Sequence, residues 1–253
     1  MEWSLFDILI ISLGIGLGAF VKGAIGFGLP MIATPMLLFV MPLPEIVAIM
    51  LAPVFLSNVQ QCWLTRQHWR SLFEFWPMMV AALVVMIPGS RLLVALDSMM
   101  LAAIVGGLIF THAVIDSLPR AEWLANRLTN VNGRKLLVPA GLLSGVSGCL
   151  TSIYSFPSLQ LMVSLRLPKN EFVFIIGIFL LCGYTGIWSG LALGGFPSPT
   201  LALNSIWLVI PGIIGLLAGN QMRDKLSAET FRKLVNIALA IAGISLILRS
   251  VLF

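Results

Sequence analysis

The sequence predicts an all-α polytopic membrane protein made of two inverted repeats, each a broken helical hairpin followed by three transmembrane helices. Three observations carry this prediction. Of the 253 residues, 59% are apolar and 10% are charged. Successive apolar runs approach the ~20 residues needed to cross hydrocarbon. One pattern of glycine and proline occurs twice along the chain. The longest polar stretch, residues 116–135, contains nothing resembling a core, so residues 1–253 read as one transmembrane domain.

The apolar runs fall at residues 5–21, 24–41, 46–64, 72–92, 99–115, 136–165, 172–193, 203–222 and 234–253. Ahead of the first stand Glu2 and Asp7 and no Lys or Arg, so the positive region of a cleavable signal peptide is missing and this span is expected to be retained. The first two runs flank Lys22 and a cluster of glycines, and form the first broken hairpin. The sixth run is too long for one span and contains Pro139, Gly141, Gly145, Gly148 and Pro157; two half-length helices fit it better.

Loop charge sets the expected orientation. Arg66 and Arg70, residues 120–135, Arg166 with Lys169, and residues 223–233 form basic connections, whereas residues 41–44 and 194–200 carry no Lys or Arg. Basic loops favour the cytoplasm, which places both termini outside. It also requires residues 136–165 to enter and return on one side. Such a hairpin must be wrapped by other helices or line a cavity, because lipid does not tolerate exposed broken backbone. The net charge of +5 is accounted for by these loops and implies no nucleic-acid partner.

"GAIGFGLPMIATP", starting at Gly23, aligns with "GVSGCLTSIYSFP", starting at Gly145, matching Gly23, Gly26 and Pro35 to Gly145, Gly148 and Pro157 at one offset. Leu43-Pro44 is echoed by Leu167-Pro168, and "GSRLLVAL" from Gly89 by "GNQMRDKL" from Gly219. This divides the chain into repeat 1 (residues 1–117), a cytoplasmic loop (118–135) and repeat 2 (136–253). Three full spans after each hairpin is an odd number, so the second repeat is expected upside down. Inverted repeats with discontinuous helices in matching places point to a transporter with a site near the midplane.

Lys22 is the sharpest single feature. A lysine at the centre of a span costs about 3 kcal/mol and marks a function, unless it caps the span and snorkels to the interface; both alternatives stand. Gly23, Gly26 and Gly28, with Phe27 between them, let the backbone break, and a half-helix beginning there would present N–H groups to an anion. In the second hairpin Ser147, Thr151, Ser152, Tyr154 and Ser155, beside Gly148, form a donor-rich patch. Asn58 and Gln61 are amides inside the third run, with Tyr184 as a counterpart in the second repeat; they bind substrate or bond across helices. These fourteen residues are the candidate substrate-binding set. Gly14/Gly18, Gly141/Gly145 and Gly215/Gly219 fit close helix packing. Arg91 reads as an interface anchor. Glu45, Glu74, Asp116 and Glu171 read as interfacial carboxylates, Glu171 or Asp116 being the ones through which protons would couple.

Cys62, Cys149 and Cys182 are far apart, without C-x-x-C pairing, and read as buried small hydrophobes. His68 and His112 belong to no metal, acyl-transfer or nucleotide motif. No catalytic residue, metal or cofactor is expected, and no self-contained ATP-driven pump.

The stretches "KGAIGFGLPMIATPML" (from Lys22), Leu43-Pro44, "SNVQQ" (from Ser57), "PGSRLL" (from Pro88) and "GLLSGVSG" (from Gly141) resemble the TauE/SafE membrane transporters, the sulfite exporter or 4-toluene sulfonate uptake permease family. The likeness runs over almost the whole chain. It departs at "CLTS", from Cys149, where the family often has a glycine-rich run. The resemblance implies an internally duplicated membrane fold and secondary transport of small anions, particularly sulfite, sulfonates and related organosulfur compounds. The expectation is therefore a non-enzymatic permease of a bacterial inner membrane, working by alternating access. Its partners would be a small anion, the bilayer and a proton or sodium ion, with a homodimer left open. An anion channel and a non-transporting membrane subunit are the alternatives.

Overall fold

Ser4 begins the first helix as a capping box: its side chain accepts from the Asp7 N–H, while the Asp7 carboxylate takes the Ser4 N–H at 3.0 Å. In the computed structural model, which describes residues 3–117, 133–155, 157–165, 167–222 and 244, the described residues form helices and no strands. Helix α1 is Leu5–Ile25, α2 Leu29–Leu37, α3 Leu43–Ile49 and α4 Leu51–Leu64. After a 3₁₀ segment, Arg66–Ser71, come α5 Leu72–Gly89, α6 Leu92–Ala95 and α7 Ser98–Ser117. Following residue 132, a short 3₁₀ turn leads to α8 Leu137–Thr151, then α9 Ser158–Ser164, α10 Lys169–Leu193, α11 Pro199–Asn204 and α12 Val209–Met222. Apart from residue 244, the apolar run at 234–253 lies outside the described residues, as do the basic loops at 118–132 and 223–233.

Both expected hairpins are broken helices, with boundaries the sequence did not give. α1 runs through Lys22 and stops at Gly26, so the first break lies at Gly26–Gly28 rather than around Lys22. The cause is conformational: Gly26 (φ 94°) and Gly28 (φ 107°) take left-handed backbone, whereas lysine is a good helix former. The second break begins at Ser152, the non-glycine residue at φ 59° that ends α8. Two runs expected to be continuous are divided. α3 and α4 meet at a 49° bend, and residues 203–222 split into the end of α11, a turn and α12. Proline fits both. Pro53 and Pro211 are third in α4 and α12, as Pro139 is in α8, where the missing N–H has no helical acceptor to lose but withholds the bond that would continue a preceding helix. Among the described residues three helical stretches are long and apolar enough to cross a membrane: Leu5–Ile25, Arg66–Ala95 and Asn170–Leu193. A fourth is added if α3 and α4 are one bent span.

Small residues set how closely the helices pack. The most extensive pairings are α1 with α12 and α8 with α5. A Cβ on Gly215 would strike the Gly16 backbone, and one on Gly219 the Phe20 carbonyl and the Ala24 nitrogen. Gly141 lies against Met78, and Gly145 against Ala82 and Val85. Gly18 sits on the Leu29 backbone, folding α2 back along α1. The glycine spacings read as packing devices thus do pack.

The same pairs fix relative directions. Numbers rise together where α1 meets α12, where α8 meets α5 and where Leu83 and Ile87 of α5 meet Gly186 and Gly190 of α10. They run oppositely between α3–α4 and α10: Gln61 bonds Val173, and Tyr184 bonds Val47. α5, α8 and α10 therefore share one direction. α1 and α12 are parallel, with Ile15 and Pro53 both against Gly212, and α4 shares their sense opposite to α10.

On α1, Leu9, Leu13 and Leu17 are exposed while Ile11, Ile15, Ala19 and Lys22 are buried. Four-residue spacing puts the lysine on the inward stripe. Gly215→Val should lower the detergent melting temperature, overpacking against Gly16 costing about 1–3 kcal/mol. Gly107→Ala, with nothing within 4 Å of the added Cβ, should leave it unchanged in the same thermal scan.

Candidate functional site

Lys22 occupies the last turn of α1 and retains 2% of its exposure, so snorkelling to an interface is ruled out in this arrangement. Its ammonium donates to Asn58 Oδ1. Asn58, itself 1% exposed, is oriented by its own amide nitrogen, which donates to the Val54 carbonyl at 2.8 Å one turn earlier on α4. Cys62 follows one turn later, within electrostatic reach of the ammonium. Among the described residues no carboxylate forms an ion pair with Lys22. Three N–H donors on a buried cation therefore face one neutral amide oxygen. No carboxylate among the described residues supplies a countercharge there.

The first break closes beside this lysine: the Gly26 N–H donates to the Lys22 carbonyl at 2.7 Å, and a Cβ on Gly26 would lie 3.8 Å from the Val173 side chain of α10. Gln61 reaches the same place, its amide donating to the Val173 carbonyl at 2.8 Å. α2 starts at Gly28 with no side-chain cap, and Pro30 occupies its first turn. The half-buried Phe27 sits between the two left-handed glycines. Gly23 faces α12, where a Cβ would meet Leu216 and Asn220 backbone.

The hydroxyls of the second hairpin are mostly engaged with the protein itself. Ser147 donates to the Ile153 carbonyl (2.5 Å), Thr151 to the Ser147 carbonyl (2.7 Å), and Tyr154 to the Leu180 carbonyl (2.5 Å). The Thr151 hydroxyl also accepts from the Ile153 N–H at 3.1 Å. These bonds satisfy main-chain groups that a broken helix leaves over. Tyr184 donates to the Val47 carbonyl just before the α3–α4 bend. Gly148 makes room for Tyr154 and Met86. Ser155 is buried, and among the described residues its hydroxyl has no partner. Ser152 bonds Thr34 of α2 at 3.2 Å, joining the two hairpins. Sequence reasoning passed over Thr34, although a threonine inside "PMIATP" was a visible signal.

The candidate residues meet α10 at two levels. Gln61 and Gly26 meet Val173, with Lys22 and Asn58 about one turn before them on α1 and α4; Tyr154 meets Leu180 and Gly183, beside Tyr184. The separation along the helix axis is on the order of 10 Å. Beyond them, at the start of α5 and α10, a cavity of about 650 Å³ is lined by Arg70, Ser71, Glu74, Arg134 and Glu171 among others. There Arg134 holds Glu74 through two bonds (2.7 and 3.1 Å), and Ser71 donates to Glu171 at 2.5 Å. A second cavity, about 270 Å³, opens at the other end of the same two helices.

The resemblance led one to expect a membrane transporter family, and comparison with known families agrees. A family model described as sulfite exporter TauE/SafE matches residues 10–246. The chain belongs to the TauE/SafE family. No curated protein and no solved structure matches it. TauE/SafE membership makes it a membrane transporter of the sulfite or sulfonate exporter and permease type.

Asn58→Leu should destabilise the protein by about 1–3 kcal/mol, because the buried ammonium loses its acceptor. Lys22→Met combined with Asn58→Leu should recover most of that loss in the same thermal unfolding assay, the charge having gone with its partner.

Proposed function

We propose that this TauE/SafE protein is a secondary transporter of a small oxyanion, sulfite or a sulfonate, with Lys22 as the cation that receives it. The observation carrying the proposal is the buried ammonium held by Asn58 without a carboxylate. A permanent carboxylate there would neutralise the lysine and compete with substrate. An amide positions it and leaves its charge uncompensated. An arriving anion supplies the missing countercharge, and the ion pair is strong because water is excluded. The uncapped start of α2 and the buried Ser155 hydroxyl are further donors carried by the two hairpins.

Alternating access of two inverted repeats is the transport cycle we assign. Its support is directional: α1 and α8, α3–α4 and α10, and α5 and α12 are the expected counterparts, and within each pair the helices run in opposite senses. Local geometry adds to it. Gly26 and Ser152 both end their helices in left-handed backbone, and Pro42 and Pro168 both open the next helix in extended backbone. One offset relates both pairs and also Asn58 to Tyr184. It is about one helical turn longer than the offset of the glycine–proline echo that starts at Gly23 and Gly145, and it pairs Pro168 with Pro42 rather than Pro44.

In this cycle the lysine is closed from both ends. The bonds Arg134–Glu74 and Ser71–Glu171 tie the starts of α5, α8 and α10 together at the basic end, which loop charge assigns to the cytoplasm. They part when that side opens.

Purified protein in liposomes should carry labelled sulfite or a sulfonate, and Lys22→Met should reduce that flux at least tenfold while melting no earlier than the unsubstituted chain. Equal flux in the two proteins overturns the role of Lys22. Flux at channel rates without coupling identifies an anion channel, and folded protein that moves no anion identifies a non-transporting subunit.

A further inference from the structure

The guanidinium groups of the described residues are nearly all engaged. Arg134 is paired with Glu74. Arg66 donates to the Trp63 carbonyl at 3.0 Å and lies 4.5 Å over the Trp63 ring, and Arg70 lies 5.8 Å over Trp69. Arg91 has no such partner among the described residues. It lines the 270 Å³ cavity at the far end of α5 and α10, together with Val94, Ala95, Gly190, Leu191 and Gly194.

Three features characterise this open depression, in which Arg91, Val94, Ala95 and Gly194 are exposed. No carboxylate lines it. The acid nearest in sequence, Asp97, has its Oδ2 occupied by the N–H groups of Met99 (2.8 Å) and Met100 (3.2 Å) at the start of α7. Its space depends on absent side chains. A Cβ on Gly194 would already stand 4.0 Å from Arg91 Cγ, and a longer side chain there would fill the void. Its volume is about nine times a water molecule's share of the liquid (~30 Å³), which accommodates a small anion with part of its hydration. The planar fork of arginine suits an oxyanion presenting two oxygens.

We propose that the Arg91 cavity is a second anion subsite, which holds a small sulfonate-type oxyanion at the end of the bundle opposite the Arg134–Glu74 pair. Arg91 then does more than anchor the chain at the interface. Two cationic stations, Lys22 within and Arg91 at the rim, place the anion's path along α10. The inference rests on the transport reading for its purpose, and on the cavity alone for its binding.

The decisive experiment separates those two. In a protein whose Cys62, Cys149 and Cys182 are replaced by alanine, Ala95→Cys puts one thiol in the cavity wall. A negatively charged methanethiosulfonate reagent should modify it at least fivefold faster than a positively charged one. Sodium methanesulfonate should slow the reaction, and Arg91→Gln should abolish both effects. Equal rates for the two reagents, without protection, overturn the proposal. In liposomes containing the otherwise native chain, Arg91→Gln should raise the KM for sulfonate about tenfold, more than it lowers the saturated rate, with Arg91→Lys intermediate. An unchanged KM also overturns it. Arg91-dependent protection in a protein that transports no anion keeps the subsite and removes the transport reading.

Discussion

A positive charge in a region without water is the constraint around which this protein is organised. The Lys22 ammonium could have reached an interface had it stood on the outward stripe of α1, with Leu13 and Leu17. On the inward stripe it must be met by the protein. The answer is one amide, Asn58, itself fixed by the main chain of its own helix. Much of the surrounding architecture keeps those two groups together: the glycines that end α1 just after the lysine, the packing of α12 along α1, and the bend that sets the course of α4.

Within lipid, helices gain little from hydrophobicity when they associate, because the tails are as apolar as the side chains. Contact distance then becomes the main resource. Gly16, Gly215 and Gly219 let α1 and α12 approach backbone to backbone, and Gly141 and Gly145 do the same for α8 on α5. The two closest pairings each join a hairpin of one proposed repeat to a helix of the other. Each hairpin thus packs along a helix from the other half of the chain.

Much of this was legible in the sequence, for physical reasons that also mark where legibility ended. The hairpins could be read because glycine and proline impose local geometry wherever they occur, and Lys22 stood out because a cation in hydrocarbon is costly in any fold. The face of α1 carrying Lys22 could not be read, since that helix is apolar all round and its periodicity does not distinguish lipid from protein. The α3–α4 bend was hidden because Pro53 is compatible both with a kink inside a span and with the first turn of a new helix. The hydroxyls of Ser147, Thr151 and Tyr154 invited interpretation as free donors. Which carbonyls a break leaves unsatisfied, and which side chains return to them, is settled by geometry after folding.

The prolines at the third positions of α4, α8 and α12 bring a mechanical consequence. Each removes the one donor that would have stapled its helix to the carbonyl four residues earlier. At the α3–α4 junction Ile49 therefore has no helical bond to Pro53, while Tyr184 of α10 engages Val47 from the side. Met50 itself keeps its main-chain bonds to Ile46 and Val54, so the bend is short of one bond rather than free of them. Pro53 thus leaves the junction one staple short, and a single hydroxyl from the neighbouring helix braces the segment just before it.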